Sequence, residues 1–214
     1  VAGMQLSKAG DGGIVAQERV IEWTGSGVVL DVDKSRGKGE SLIATAAHVS
    51  NVPGTIPTFD DAGNLKTLFF SQASMIVITT LDGKSCDSRE IYVDVPHDVG
   101  IVRAFCVAGE KAELAAELPS VGSSIIVSGA GLGFHPAGVF LVEDGRYLGL
   151  VDGQAPDMVM SVPAVGGHSG SGLFHRGEVI GILTKVFVGF HHGSLGTELS
   201  HVRRALEGAR EIWN

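Results

Sequence analysis

The sequence predicts an all-β protein made of two six-stranded antiparallel β-barrels in tandem, followed by a C-terminal α-helix. Of its 214 residues 31 are glycine, and aromatic residues make up only 6%, which is typical of short strands joined by tight turns. Apolar, strand-like segments fall into two groups of six on either side of a polar stretch. Two small barrels fit a chain of this length.

Each group of strands defines one predicted barrel. The first barrel is expected over residues 19–109, with strands at 19–23, 27–32, 41–44, 75–81, 89–93 and 100–106. The second barrel is expected over residues 120–199, with strands at 124–128, 138–142, 146–151, 158–163, 172–175 and 178–188.

The segments around the barrels have weaker patterns. Residues 1–18 are glycine-rich and are expected to form an N-terminal arm, and the stretch 52–67 is expected to be a long loop. Residues 110–119 are interpreted as a helix-prone polar linker. Ser200 has the character of an N-cap for a helix over residues 200–214. The apolar positions of that helix are three or four residues apart, namely Val202, Leu206, Ala209 and Trp213.

The most informative segment is 166–172, where four glycines surround Ser169. Glycine lets a backbone amide approach a substrate oxygen without interference from a Cβ atom. A serine with the N–H groups of Gly167 and of Ser169 itself nearby is the arrangement of a nucleophile with an oxyanion hole. Runs of glycine and serine also form ordinary loops, so this interpretation depends on other residues.

A nucleophilic serine needs a base, and the base needs a carboxylate to orient it. Eight histidines and 24 acidic residues are available, so position must select among them. His48 follows the apolar strand and small residues of 42–47, and Asp98 opens the apolar run 99–102. A carboxylate at the start of a buried strand is costly unless it is paired, and a histidine is a suitable partner.

The order of these motifs resembles that of chymotrypsin-like serine proteases, and most of all the HtrA/Deg-type protease domain and its viral relatives. The motifs are Thr-Ala-Ala-His ending at His48, Asp98 followed by aliphatic residues, and Gly-X-Ser-Gly-Ser around Ser169. Similar flanking stretches lie at 25–30, 121–129 and 177–184, and the resemblance extends from about residue 20 to the C-terminus. It implies a chymotrypsin-like double barrel with serine endopeptidase activity on a polypeptide substrate, and it implies no cofactor or metal.

Carried over by position, the resemblance implies a catalytic triad. Ser169 would be the nucleophile, His48 the general base and acid, and Asp98 the group that orients the imidazole. Gly167 and Ser169 would supply the oxyanion N–H groups, and Thr184 would place a hydroxyl near Asp98. Other polar residues near these motifs are interpreted as structural, as loop residues or as surface and pocket-rim residues: Ser171, Asp94, His97, His168, His175, His191 and His192.

His168 is a departure from digestive trypsin-like enzymes. Those enzymes have an aspartate directly before the nucleophile, where it pairs with a newly cut N-terminal amine. A neutral imidazole cannot replace that ion pair. Although the sequence begins Val-Ala-Gly, we therefore expect the active site to form without insertion of the N-terminus.

The resemblance also places the primary specificity pocket. The expected substrate-binding residues are Val162, Pro163, Leu183, Thr184, Lys185 and Val186. No acidic residue lies near the expected floor, which argues against cleavage after Arg or Lys. Leu183 stands where glutamate- and glutamine-cleaving relatives have a histidine, although His191 or His192 could reach the pocket from the next strand. A hydrophobic P1 side chain is expected, with the weak discrimination of apolar pockets.

Composition disfavours other classes of protein. The net charge of −8 argues against a nucleic-acid partner, because phosphate binding requires a basic face. No apolar run approaches the roughly 20 residues of a membrane span. Cys86 and Cys106 lack metal-ligand spacing and are interpreted as free apolar residues more readily than as one disulfide. Oligomeric state, localisation and natural substrate stay open.

Three alternative functions accompany the main prediction. The chain could be a viral or phage protease that processes a polyprotein with narrow specificity, or a catalytically inactive binding module that keeps the barrels. An esterase is disfavoured, because the nucleophile elbow of α/β-hydrolases requires a helix directly after the serine. The residues after Ser169 are predicted to form strands instead.

Overall fold

The computed structural model describes residues 2–8, 14–20, 24–51, 55–59, 65–69, 76–133, 140–151, 158–187 and 192–213. The strands within these residues are β1 (Ala2–Lys8), β2 (Ile14–Val20), β3 (Val28–Asp33), β4 (Glu40–Thr45), β5 (Thr55–Phe59), β6 (Leu65–Phe69), β7 (Ile76–Thr79), β8 (Ser85–Asp94), β9 (Val99–Ala104), β10 (Ser124–Gly129), β11 (Leu141–Leu150), β12 (Met158–Met160), β13 (Gly172–His175), β14 (Glu178–Val186) and β15 (Ser194–Glu198). The α-helices are α1 (Ala47–Ser50) and α2 (Leu199–Trp213). Neither of these helices is both long enough and apolar enough to cross a bilayer.

The smaller of two compact units comprises Val1–Trp23 and Val52–Met75. Its four strands form one sheet in the order β2-β1-β6-β5, in which β1 pairs with β2 and β5 with β6, both antiparallel. The N-terminal segment predicted as an arm is therefore a hairpin, and the predicted long loop contains a second hairpin. The alternation Met4-Gln5-Leu6-Ser7 in β1 is a strand signal that the high glycine content of this segment obscured.

The larger unit, Thr24–Asn51 and Ile76–Asn214, contains the whole of the second predicted barrel region and most of the first. The second region is a closed six-stranded barrel in the order β10-β11-β12-β15-β14-β13, which confirms the predicted fold class. The first is an antiparallel sheet of five described strands, β3-β4-β9-β8-β7. The sixth strand predicted there, at 19–23, overlaps the end of β2, and residues 21–23 lie outside the described residues.

The strands of the closed barrel are divided differently from the prediction. The two strands expected at 138–142 and 146–151 are one strand, β11, while β15 is an additional strand after β14. The dipeptide Asp144-Gly145 has the composition of a hairpin turn, yet the strand continues through it. Gly145 serves close packing, because a Cβ atom there would lie 2.3 Å from the carbonyl oxygen of Ser161.

Two apolar cores support this unit. The first joins the five-stranded sheet, β14 and α2, and its members include Leu30, Leu42, Ile101, Ile182 and Leu206. The second fills the closed barrel, with members such as Ile125, Met158, Met160, Leu173 and Leu183. The predicted linker 110–119 is extended rather than helical, because its backbone hydrogen bonds to β3 and to β14.

The C-terminal helix forms as predicted and is anchored at both ends. Glu198, rather than Ser200, caps its first turn, since the Glu198 carboxylate accepts the backbone N–H of Ser200 at 3.0 Å. At the other end the indole N–H of Trp213 donates to Glu40 at 2.7 Å. Arg103 also binds Glu40, with nitrogen–oxygen distances of 2.6 and 3.1 Å, and this hydrogen bonding lowers the pKa of Glu40.

Cys86 and Cys106 form a disulfide, which corrects the interpretation of both as free residues. Cys86 lies in β8 and Cys106 follows β9, and their Cα atoms are 6.1 Å apart. Because β8 and β9 are hydrogen-bonded neighbours, the two side chains meet across the sheet. A separation of 20 residues in the sequence gave no sign of this pairing.

Candidate active site

His48 and Asp98 are brought together by neighbouring strands. His48 lies in α1, directly after the buried strand β4, and Asp98 precedes β9, which pairs with β4. Nδ1 of His48 lies 2.8 Å from Oδ2 of Asp98 and 3.1 Å from its Oδ1. The backbone N–H of His48 also donates to Oδ1 at 3.0 Å. An imidazole that donates through Nδ1 carries its lone pair on Nε2, where it can accept a proton.

The backbone at Asp98 adopts an uncommon conformation that suits this contact. Its φ of 55° lies in the left-handed region, which Asp and Asn tolerate better than most residues. The carbonyl of Asp98 accepts the N–H of Ala47 at 3.1 Å, so both its side chain and its main chain hold α1. The Asp98 side chain is 13% exposed and that of His48 is 47% exposed, so the carboxylate is shielded while the imidazole is accessible.

Residues beside Asp98 connect its turn to α2. His97 Nδ1 lies 2.8 Å from Oδ1 of Asp94, and Arg204 donates to Oδ2 of Asp94 at 3.1 Å. The rings of His97 and His201 stack with centroids 3.7 Å apart. Burial alone would raise the pKa of Asp94, but the hydrogen bonds from His97 and Arg204 outweigh it and lower that pKa. Asp94 and His97 are therefore bonded structural residues rather than free loop residues.

The peptide group between Gly166 and Gly167 is held in one orientation. Its carbonyl accepts the N–H of Leu132 at 2.7 Å. Gly167 has a φ of +94°, and a Cβ atom there would lie 2.5 Å from the Ala130 carbonyl oxygen, so a side chain is excluded by both conformation and space. In a trans peptide the N–H points opposite to the C=O. The Gly167 N–H therefore points away from Leu132.

The peptide group between His168 and Ser169 is held in the same manner. The carbonyl of His168 accepts the N–H of Ser171 at 2.9 Å, so the Ser169 N–H points away from this partner. Within the part of the chain that the structure describes, neither the Gly167 N–H nor the Ser169 N–H donates to a protein acceptor. The loop thus presents two unpaired donors, one of them the N–H of Ser169 itself.

The Ser169 loop lies against the segment that leads into His48. At Gly170, which has a φ of +88°, a Cβ atom would lie 2.1 Å from the Ser26 carbonyl oxygen and 3.0 Å from the Ala46 nitrogen. Only glycine permits this approach. Among the described residues no hydrogen bond links Ser169 Oγ to His48, and such contacts are often loose until substrate binds.

Residues 25–182 match the family model of the trypsin-like peptidase domain, which is more than half of the 214-residue chain. The chain belongs to the trypsin-like peptidase family. No curated protein matches it.

Solved structures agree with this family assignment at the level of the fold. The active form of the Rv3671c protease from M. tuberculosis has a TM-score of 0.60 and 16% identity, over 97% of this chain and 80% of that one. An inactive form of the Rv3671c protease has a TM-score of 0.57 and 18% identity, over 86% of this chain and 82% of that one. The inactive form of a serine-to-alanine mutant of Rv3671c, from M. tuberculosis H37Rv, has a TM-score of 0.58 and 17% identity, over 89% of this chain and 83% of that one.

His168 of this peptidase lies in the interior, which corrects its interpretation as a surface or pocket-rim residue. It is 1% exposed, and its Nδ1 accepts the N–H of Val165 at 3.4 Å. Its Nε2 is buried without a hydrogen-bond partner and lies 2.5 Å from where a Cβ atom of Gly131 would be. Burial lowers the pKa of His168, against the opposing effect of the Glu143 carboxylate.

A pH-dependent loss of stability is expected from this buried imidazole. Because the folded-state pKa of His168 lies below its ordinary value of 6.5, the unfolded chain binds more protons and stability falls as pH decreases below about that value. His168→Asn removes the titrating group. The quantity to compare is the free energy of unfolding of the wild type minus that of this variant, measured by denaturant titration. We expect this difference to become smaller as the pH is lowered from 7 to about 5. A difference that is constant with pH would contradict the prediction.

The predicted substrate-binding residues occupy two environments in the peptidase. Val162, Leu183 and Thr184 are buried, and Val162 and Leu183 belong to the core of the closed barrel. Pro163 is half-buried, and Lys185 and Val186 are exposed. The Thr184 hydroxyl donates to the Leu195 carbonyl at 3.3 Å instead of to Asp98.

The other polar residues near the predicted motifs differ in burial and in hydrogen bonding. Ser171 is fully buried and its hydroxyl has no hydrogen-bond partner, which agrees with a structural interpretation. His175 contacts the Ser124 carbonyl through Nδ1 at 2.8 Å. His192 is exposed, and His191 lies outside the described residues. Strand β13 follows Ser169, so the helix required by a nucleophile elbow is absent from this described segment.

Sequence reasoning missed Ser26, which contacts the Ser169 loop at Gly167, Ser169 and Gly170. Its place between two glycines, in the flanking stretch 25–30 that resembles the family, gives no indication of these contacts. Flanking glycines are packed tightly there: a Cβ atom at Gly25 would lie 2.4 Å from Val49, and one at Gly27 would lie 2.6 Å from Ile43.

Proposed function

We propose that this trypsin-like peptidase is a serine endopeptidase that uses Ser169, His48 and Asp98 as a catalytic triad. The observation that carries the proposal is the pair of unpaired N–H groups at Gly167 and Ser169. They occur in the same folded unit as the His48–Asp98 hydrogen bonds. Donors aimed at a developing oxyanion usually provide the largest single part of catalysis in acyl transfer.

In the first half of the reaction the Ser169 hydroxyl attacks the carbonyl carbon of the scissile peptide bond. A carbon–oxygen bond forms as the hydroxyl proton passes to Nε2 of His48, and the negative charge on the carbonyl oxygen is stabilised by the N–H groups of Gly167 and Ser169. The Asp98 carboxylate stabilises the imidazolium. When the carbon–nitrogen bond breaks, His48 gives its proton to the leaving amine and an acyl-enzyme remains.

In the second half water replaces the amine. His48 removes a proton from water, the resulting hydroxide adds to the ester carbonyl, and the same two N–H groups hold the second oxyanion. Breaking of the ester bond to Ser169 returns the proton from His48 to the serine oxygen. The released products are a carboxylic acid and an amine, and the protein regains its starting state.

A hydrophobic P1 preference is part of this proposal. It is supported by the exposed apolar side chain of Val186 and by the lack of Asp or Glu in residues 158–165 and 181–187. Such a pocket separates side chains that differ by one methylene by only about 10- to 200-fold.

Cleavage-site profiling with a peptide library tests activity and preference together. The wild type is expected to cut after aliphatic or aromatic residues, and the Ser169→Ala variant is the matched blank. Cleavage after Arg, Lys, Glu or Gln would overturn the pocket assignment. Cleavage confined to a single sequence would instead support a narrow-specificity protease that processes a viral or phage polyprotein.

A catalytically inactive binding module is the second candidate. It is favoured by one observation, the lack of a described hydrogen bond between Ser169 Oγ and His48. Covalent labelling with a fluorophosphonate separates the two functions, since only an activated serine reacts. Modification of Ser169, located by peptide mass mapping, supports the peptidase, while an unlabelled and folded wild type supports the binding module.

A further inference from the structure

Ser26 is hydrogen bonded to four residues from three segments that meet at the candidate active site. Its hydroxyl donates to the Gly167 carbonyl at 2.7 Å and accepts the N–H of Ala130 at 2.9 Å. Its backbone N–H donates to the Ser169 carbonyl at 2.7 Å. Its carbonyl accepts the hydroxyl of Thr45 at 2.7 Å, three residues before His48 in the sequence.

These contacts restrain the backbone on both sides of the Ser169 N–H. The Gly167 carbonyl is bound by the Ser26 hydroxyl and the Ser169 carbonyl by the Ser26 backbone, so the two peptide groups that flank the His168–Ser169 peptide cannot rotate freely. Gly167 needs such a restraint, because glycine has more accessible backbone conformations than any other residue. Without it the neighbouring peptide could turn and move the N–H groups.

Ser26 also relates the Ser169 loop to the His48 segment. A Cβ atom at Gly170 would lie 2.1 Å from the Ser26 carbonyl oxygen and 2.3 Å from Thr45 Oγ1. The serine loop and the strand that leads to His48 therefore meet at Ser26. The Ser26 side chain also links this loop to Ala130, the residue directly after β10.

We propose that Ser26 is a positioning residue for the oxyanion hole. Its hydroxyl fixes the Gly167–His168 peptide, which lies between the two peptides that carry the Gly167 and Ser169 N–H groups. Its backbone N–H fixes the Ser169–Gly170 peptide, so that the two N–H groups stay aligned with the developing oxyanion. Ser26 acts through these groups and does not itself contact the reacting atoms. The proposal rests on the proposed function, in which Ser169 is the nucleophile.

Ser26→Ala removes the hydroxyl and leaves both backbone hydrogen bonds. Direct loss of an oxyanion donor costs about 10²- to 10³-fold in kcat, so loss of its support is expected to lower kcat by about 10- to 100-fold. KM should stay within about twofold, since substrate binding energy shared by ground and transition states is unchanged. The affinity for a peptide aldehyde, which forms a tetrahedral adduct, should fall in parallel with kcat/KM.

Ser41→Ala is the matched control. The Ser41 hydroxyl also bridges two backbone groups, since it donates to the Cys106 carbonyl and accepts the N–H of Ala108, both at 3.0 Å. Its loss should lower the melting temperature without changing kcat or aldehyde affinity. If Ser26→Ala behaves as Ser41→Ala does, with lower stability alone, Ser26 has a purely structural role and the proposal is wrong.

A second variant covers the possibility that Ser26→Ala does not fold. Thr45→Val is close to isosteric and removes only the hydrogen bond that holds the Ser26 carbonyl, so it should lower kcat by a smaller factor at unchanged KM. An unchanged kcat in folded Thr45→Val would then overturn the proposal. Fluorophosphonate labelling of the wild type is done first. If Ser169 is not labelled, both proposals fail. If Ser169 is labelled and Ser26→Ala keeps the wild-type kcat, only the Ser26 proposal fails.

Discussion

Ser169→Ala is expected to abolish turnover, with a loss in kcat on the order of 10⁵- to 10⁶-fold. The substitution removes the atom that forms the acyl-enzyme, so only the weak catalysis from the oxyanion N–H groups and from substrate binding is retained. Stability should change little, because no described hydrogen bond to His48 is lost. Peptide hydrolysis and thermal unfolding, measured on the same preparation, check both parts.

Ser171→Ala is the matched control for this prediction. Ser171 lies two residues from Ser169, but its buried hydroxyl has no hydrogen-bond partner. Removing an unsatisfied buried polar group is neutral or stabilising, so this variant should retain activity and unfold at the same or a higher temperature. Wild-type activity in Ser169→Ala, or loss of activity in Ser171→Ala alone, would show that the nucleophile is misassigned.

Asp98→Asn is expected to lower kcat by about 10⁴-fold, the size of effect that follows when a triad carboxylate becomes an amide. Asparagine has nearly the same shape and also tolerates the left-handed backbone found at Asp98, so the turn should persist. The side-chain N–H₂ group can donate to Nδ1 of His48 and favour the wrong imidazole tautomer. Activity as a function of pH measures the effect, and melting temperature establishes that the fold is intact.

Asp94→Asn provides the comparison for Asp98→Asn. Its carboxylate binds His97 and Arg204 and makes no described contact with His48. We expect its activity to stay within about tenfold of the wild type, because only the support of the neighbouring turn is weakened. Equal losses in the two variants would contradict the assignment of Asp98 as the orienting group.

The candidate residues could be found from the sequence because their roles require particular residue types. A strand that ends in small residues before His48, an isolated Asp98 before an apolar run and glycines around Ser169 are each visible without coordinates. The C-terminal helix was equally accessible, since its buried residues follow the helical period. Such patterns can be recognised in the sequence because each depends only on residue types and spacing within one short segment.

Other features depend on neighbours that are distant in the sequence. The contact between Ser26 and Gly167 spans 141 residues, and a serine between two glycines gives no indication of it. The sequence predicts His168 as a surface or pocket-rim residue, yet packing beside Gly131 buries it. Gly145 has the appearance of a turn residue, although its role is to let β11 approach Ser161.

The sequence alone was sufficient to predict an all-β fold with a terminal helix, the peptidase resemblance and the segment around Ser169. The tertiary structure decided how that segment is held: which peptide groups are fixed, which two N–H groups are unpaired, and which residue joins the serine loop to the His48 strand. The physical reason is that residue type limits the chemistry a group can perform, whereas the direction of a backbone N–H is set by its hydrogen-bonded neighbours. At Ser169 those neighbours come from Ser26 and the second barrel, and only folding brings them together.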